Sequence, residues 1–413
     1  MPYFFPRQII LFGVKHFQRY IANQKRAFLD VDLPQEHPMK LIVVIPCYNE
    51  PDIVETLYSL MACAAPPSQT GVFVIINSEI QSPPNIVVQN RQTYEQLVRF
   101  AAKNNTPHLS FYPFLFEDLP RKHAGVGLAR KIGMDLAISH FLKTSCPDGV
   151  IISLDADCTL SENFLLHIHH LFDKERDVAV SVHGFWHRVE PPNRALENAV
   201  RQYERYLRYF SEMLRFIDFP YPYHTIGSAF AVSADAYVRV GGMGRQQGGE
   251  DFYFLQKVFA LGKVRELDEI TVYPLARFSE RVPFGTGRAL SKILQHPQEQ
   301  LMAYTPESFL VLKAFFDNKD AFFKQPRTVV ATMLETLHPV LIHFLKEIKA
   351  TEAIDDCNNN CASTATFNKR FFHHFDAFKI IKFLNYAHQN AFSHQPLEIC
   401  IGRMKNIHNE FSW

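Results

Sequence analysis

GVIISLDADC, residues 149 to 158, decides how the rest of the chain is read. Its first half is an unbroken apolar run of the kind a buried strand needs, and it ends on two carboxylates, Asp155 and Asp157. Outward from it, KLIVVIPC (40 to 47), VFVIIN (72 to 77), LSFYPF (109 to 114) and VAVSVHGFW (178 to 186) are strand runs of the same type. Helical patterns such as EPDIVETLYSLMACA, beginning at Glu50, lie between them. Strand runs alternating with helical patterns predict βαβ units and an α/β fold, Rossmann-like, with a mixed, mostly parallel sheet flanked by helices. In such sheets ligands bind beyond the carboxyl ends of the strands, and that is where the polar residues of this chain fall.

The 413 residues exceed what one compact core needs, so a catalytic-sized domain with extensions is expected. The boundaries read from pattern are a helical N-terminal extension over 1–39, the α/β domain over 40–285 and a helical region over 286–413. NRALENAVRQYERYLRYFSEMLRF (193 to 216) carries a helical apolar stripe through Tyr203, Tyr206, Leu207, Phe210, Met213 and Leu214. IDDCNNNCASTATFN (354 to 368) reads as a polar break, and Cys357 and Cys361 within it as loop residues without partners for zinc.

Forty-three Lys and Arg against 42 Asp and Glu give a net charge of +1, no field for holding a polyanion, so nucleic acid is not an expected partner. Seven cysteines at irregular spacing, with no CxxC pair, point to a reduced, cytoplasmic setting. The N-terminal apolar runs are interrupted by Arg7, Gly13 and Lys15, far short of the ~20 residues of a membrane span. A basic helix there is compatible with peripheral contact at the inner face of a membrane, though packing on its own domain is the preferred reading.

Four segments carry chemistry. Asp155 and Asp157, at i and i+2 where a strand gives way to a turn, are able to converge on one hard divalent cation, above all when a diphosphate supplies further oxygens; an ordinary Asp-rich turn is the bland alternative. Pro46-Cys47-Tyr48-Asn49-Glu50 ends the first strand with an aromatic face for a base and a carboxylate for a base or ribose donor, or else is a plain strand-to-helix turn. Gly125-Val126-Gly127-Leu128-Ala129-Arg130-Lys131-Ile132-Gly133 is no dinucleotide fingerprint, because its glycines are wrongly spaced and no strand leads directly into it. A helix start carrying Arg130 and Lys131 suits a pyrophosphate or a sugar instead. Lastly, a glycine-rich loop from Gly241 to Gly249 delivers Glu250 and Asp251 to a helix start, where they serve as a general base or merely complement the helix dipole.

Taken together and in this order, IPCYNE, the Gly125 to Gly133 helix start, LDADC, and GGEDFYFLQKVFALG preceded by GSAFAVSADAYVRVGGM resemble glycosyltransferase family 2, the inverting nucleotide-sugar enzymes of GT-A fold, over roughly Lys40 to Val272. The resemblance implies transfer of a sugar from a nucleotide-diphosphate donor to a glycan, lipid-linked or small-molecule acceptor. It implies Asp157, assisted by Asp155, as ligand of Mg²⁺ or Mn²⁺. Pro46, Tyr48, Glu50, Asn77, Arg130 and Asp155 fall to the donor, Gly227 and Ser228 to the acceptor side, Asp251 to the catalytic base with Glu250 as its neighbour. Asn77-Ser78-Glu79 stands where the family usually has an acidic base-reading residue, and the QxxRW motif of processive synthases is absent, which favours a non-processive enzyme. Arg277 and Arg281, before a Gly-Thr-Gly turn, are placed to close over a diphosphate. The alternatives are a retaining transferase of the same fold, a nucleotidyltransferase, disfavoured by the lack of glycine in IPCYNEPD, and a non-catalytic nucleotide-sugar-binding protein.

Overall fold

LIVVIPC, strand β1 (Leu41–Cys47), is buried at every residue, as a central strand covered on both faces must be. The computed structural model describes residues 7–33, 37–277, 286–295 and 300–411. They divide into two compact units, Met1–Asn193 with Thr225–Arg288, and Arg194–His224 with Ala289–Trp413.

The first unit holds an eight-stranded sheet. Beside β1 stand β2 (Thr70–Glu79), β3 (Leu109–Leu119), β4 (Val150–Ser153), β5 (Cys158–Leu160), β6 (Val178–Phe185), β7 (Phe230–Ser233) and β8 (Lys263–Pro274), in the order β3-β2-β1-β4-β7-β6-β8-β5. Pairings β3–β2, β2–β1, β1–β4 and β6–β8 are parallel; β4–β7, β6–β7 and β5–β8 are antiparallel. This is the mixed, mostly parallel, Rossmann-like sheet expected from the strand runs. The run at 149 to 158 is two strands, not one: it leaves the sheet after Ser153 and re-enters at Cys158, so Asp155 and Asp157 occupy the turn between. Strands β7 and β8 escape a pattern reading because β7 is only four residues long and β8 mixes buried with charged positions.

One apolar cluster fills this unit, running through Val43, Ile45, Val74, Ile76, Ile152, Leu154, Phe164 and Ile270. The helix Arg7–Ala22 packs against the helix Val126–Lys143. Tyr20 there donates to Asp135 at 2.6 Å, Tyr237 donates to the same carboxylate oxygen at 2.8 Å, and Lys131 donates to its other oxygen at 2.8 Å. Lys131, a candidate phosphate contact by sequence, is thus spent on fastening the N-terminal helix. No described helix is long and apolar enough to cross a membrane.

The second unit is helical, with an aromatic core in which Phe371 meets Phe375 at a tilt, ring centres 4.6 Å apart, and Phe315 meets Phe375 edge-on at 5.0 Å. Its helix Arg194–Phe216 buries Leu196, Ala199, Val200, Tyr209, Met213 and Leu214, so the buried face is rotated from the stripe read in the sequence and shares only Met213 and Leu214 with it. The polar break is also helical: Ala350–Asn360 is a helix anchored by Ile354 and Cys357, and Ser363 opens the next, Thr364–His374, with a reciprocal Ser363/Thr366 capping box. Two apolar anchors and a cap outweigh the low helix propensity of the Asn run.

Candidate functional site

Arg130 sits one turn into the helix Val126–Lys143 and is almost wholly buried, with 2% of its surface exposed. A buried guanidinium demands anionic partners, and it has two from different parts of the chain. Its Nη2 donates to Asp155 Oδ1 at 2.7 Å, and its Nη1 pairs with Glu250. Burial opposes the charge, yet Asp155, Glu250 and Asp251 outweigh it and hold the guanidinium more firmly protonated than usual. One side chain thereby ties the turn after β4 to the start of the helix Glu250–Leu261.

That second helix begins where Gly249 adopts a left-handed backbone, with φ of 72°, a conformation that favours glycine. Both carboxylates lie in its first turn, where the helix dipole favours them, but they are used differently. Glu250 is buried against Arg130. Asp251 makes no ion pair among the described residues; its Oδ1 accepts from the Phe252 amide at 2.7 Å, leaving Oδ2. A methyl group built on Gly227 would come within 2.9 Å of that Oδ2 and 3.0 Å of Arg130 Nη2, so Gly227, Asp251 and Arg130 border one small volume. Burial first, then Glu250, raise the Asp251 carboxyl to about 6 against the pull of Arg130. Ser153 fixes Gly227 by donating to its carbonyl at 2.6 Å, and Ser228 beside it is buried.

Asp157 faces another guanidinium. Arg277, just after β8, donates to Asp157 Oδ2 at 2.9 Å and to Glu50 Oε2 at 2.7 Å. Burial, then the nearby charges of Asp155 and Glu50, raise Asp157 to about 6, opposed by Arg277. Glu50 reaches this position through the turn after β1, where Asn49 takes a left-handed φ of 53°. A chain of amides holds the turn: Asn90 accepts from the Asn49 amide at 2.9 Å and donates to the Asn77 carbonyl at 2.8 Å, and Asn77 donates to the Cys47 carbonyl at 2.9 Å. Pro46 pairs with Ile75 in the sheet, and Tyr48 is half-buried beyond it. Arg281 lies outside the described residues.

The sequence motifs therefore meet at the carboxyl edge of β1 and β4. Sequence reasoning missed Asn90, Ser153 and Arg188, which donates to the Asp157 carbonyl at 3.4 Å and is paired with Glu55. An isolated Asn on a helix or Ser in a strand carries no signal to find it by.

Among the described residues, the carboxylates Glu50, Asp155, Asp157, Glu250 and Asp251 lie around the guanidiniums of Arg130 and Arg277. The surplus negative charge and all-oxygen donor set suit a hard divalent cation. Among the described residues no three of these carboxylates bring ligand oxygens within 4.8 Å of one another, so a cation here needs oxygens from a bound partner as well.

No family model matches the chain, and no curated protein matches it. Among solved structures it aligns with S. aureus TarS at 12% identity and a TM-score of 0.38, over 77% of this chain and 55% of that one. It also aligns with the mannosyltransferase PcManGT from Pyrobaculum calidifontis, solved in complex with GDP-Man and Mn²⁺, at 14% identity and a TM-score of 0.37, over 97% of this chain and 88% of that one. The chain thus spans little more than half the length of TarS.

Proposed function

We propose that the chain is a glycosyltransferase that moves a sugar from a nucleotide-diphosphate donor to an acceptor hydroxyl, with inversion, metal assistance and one transfer per encounter. The reading rests on one observation: a single buried guanidinium, Arg130, bridges Asp155 and Glu250, so the two acidic motifs border the same volume.

In this reading Asp251 is the base. Its Oδ2 takes the proton of the acceptor hydroxyl as that oxygen bonds to the anomeric carbon. The bond from that carbon to the donor phosphate oxygen breaks on the opposite face, and its electron pair leaves with the nucleoside diphosphate. Glu250, held in a salt bridge with Arg130, acts in this reading on the position of Arg130 and is the fallback base. Charge develops on the departing diphosphate, and Arg130 and Arg277 are the side chains near enough to oppose it. When bound at Asp157 and Asp155, Mg²⁺ or Mn²⁺ supplies further positive charge there; a unit pair at ~4 Å is worth ~4 kcal/mol at an effective dielectric of ~20. Pro46, Tyr48, Glu50 and Asn77 form the nucleotide side, with the Asn90 amide chain keeping the turn in shape. Gly227 and Ser228 leave room on the acceptor side, and Arg281 belongs to the donor.

The test is nucleoside diphosphate release from a panel of nucleotide sugars with Mn²⁺, followed by product analysis by NMR. Release that disappears in Asp157→Ala, together with an inverted anomer, supports the reading. A retained anomer moves the chain to the retaining class, and donor binding without release across plausible acceptors makes it a binding protein.

A further inference from the structure

The second unit brings together three residues that no part of the transfer site uses. Asp356 and Cys357, in the helix Ala350–Asn360, and His374, at the end of the helix Thr364–His374, place their potential ligand atoms within 4.8 Å of one another. No other group of this kind occurs among the described residues. Cys361 lies in the turn between the two helices, buried like Cys357 and close enough for its charge to act on the Cys357 thiol. In sequence the set reads Cys357-x3-Cys361-x12-His374, the first three ligands of a structural zinc spacing with Asp356 where such sites have a second histidine. We propose that Asp356, Cys357 and His374, completed by Cys361, bind a divalent cation of the zinc type that staples the two helices.

The donor chemistry separates this site from the carboxylate cluster of the first unit. Two sulfurs and an imidazole select a borderline-soft ion, where all-oxygen sites select Mg²⁺ or Mn²⁺. Without the ion the same groups are satisfied by each other: Asp356 Oδ2 accepts from His374 Nε2 at 2.8 Å and from Arg370 Nε at 2.7 Å, and its Oδ1 accepts from Arg370 Nη2 at 3.0 Å and Asn360 Nδ2 at 2.9 Å. Binding takes one proton from each thiol and uses the lone pair of the unprotonated nitrogen of a neutral His374 imidazole, whose N–H stays on the other ring nitrogen. Arg370 stays on Asp356 as the outer partner that fixes the carboxylate. Two thiolates and a carboxylate then balance the dication and Arg370, so the loaded site is neutral. Ligation needs both thiols deprotonated, so loading releases protons and strengthens as pH rises.

The experiment is a Co²⁺ titration of the chelator-stripped full-length protein under reducing conditions, read by absorption. Expected are a near-ultraviolet thiolate-to-cobalt band and tetrahedral visible bands saturating at one equivalent, both removed by Zn²⁺. Cys357→Ala and Cys361→Ser each lower the intensity of the sulfur band and weaken Co²⁺ binding at least tenfold, and His374→Ala weakens binding at least tenfold while leaving the sulfur band. A cation held by Asp155 and Asp157 has no sulfur ligand and gives no such band, so the result does not depend on the transferase reading. Absence of the band, or a band intensity and Co²⁺ affinity unchanged in Cys357→Ala, overturns the proposal and leaves Asp356, Arg370 and His374 as a plain ion network. Should Cys357→Ala fail to fold, His374→Ala, at a half-buried surface position, decides by its Co²⁺ affinity, which unchanged overturns the proposal.

Discussion

Removing the Arg130 charge without its bulk, by Arg130→Met, tests the idea that one guanidinium holds both acidic motifs in place. Glu250 is buried beside it and Asp251 is close by, so the variant leaves carboxylates in a low-dielectric pocket with no counter-ion. Breaking a buried pair from one side costs about 3–5 kcal/mol. The cost depends on pH in a definite direction. The Asp251 carboxyl, already raised to about 6 against the pull of Arg130, rises further once that charge is gone, so the folded state binds the extra proton and stability falls as pH rises through that window. The full penalty is therefore expected at pH 8 and a smaller one at pH 5. Urea unfolding followed by fluorescence, at both pH values, measures it. Arg130→Met/Glu250→Gln, which removes the stranded charge, is expected to recover at least ~1 kcal/mol at pH 8. A loss below about 1 kcal/mol for Arg130→Met, or no recovery in the double variant, would refute the bridge.

Asp251→Asn is expected to keep donor affinity and lose transfer; because the carboxyl is raised to about 6, wild-type kcat/KM falls about tenfold per pH unit below that value, a profile steady-state assays between pH 5 and 8 will show or fail to show. Gly227→Ala sets a methyl group 2.9 Å from Asp251 Oδ2 and is expected to lower kcat on the order of 10²-fold by displacing the base, with circular dichroism unchanged; full activity would mean this volume is not the reaction site. Asp157→Ala is expected to remove Mn²⁺-dependent donor binding by calorimetry, and unchanged binding would take the metal away from this residue. Arg277→Ala frees Glu50 and Asp157 from their guanidinium, so donor-free Mn²⁺ affinity is expected to rise about tenfold, or ~1.4 kcal/mol; weaker binding would show that Arg277 orders the carboxylates instead of competing for them.

Strands β1, β2 and β6 were legible because each buries an apolar run long enough to rise above its surroundings, and the half-buried β3 because of its aromatic-rich run LSFYPF. The short β7 and the half-exposed β8 were not, since their place is set by neighbours in the sheet and not by their own composition. Gly133 shows the same limit in a motif: read as part of a phosphate-facing helix start, it instead lets the helix lie on the sheet, where a Cβ would meet Val44 Cγ1 at 2.4 Å and Ile75 Cγ1 at 2.8 Å. In the second unit, composition misjudged residues 354 to 368, where burial of Ile354 and Cys357 decides for helix over a polar sequence.

For the candidate site, residue types were legible and their division of labour was not. Spacing alone sets Asp155 and Asp157 toward one cation and does not show that, without an ion, each pairs with a different guanidinium, Asp155 with Arg130 and Asp157 with Arg277. The same partition distinguishes the second acidic pair, for Glu250 is consumed by Arg130 while Asp251 keeps an oxygen toward Gly227. Neither assignment follows from local sequence, because each is made by an arginine more than twenty residues away. A buried arginine with two carboxylate partners also has little freedom to move, since losing either leaves a charge stranded. Arg277 has more: its side chain is 36% exposed, and water is able to replace its contacts. If a cation and a diphosphate enter together, Arg277 is therefore the group that gives way and turns to the phosphate, while Arg130 holds the distance between the leaving group and the base.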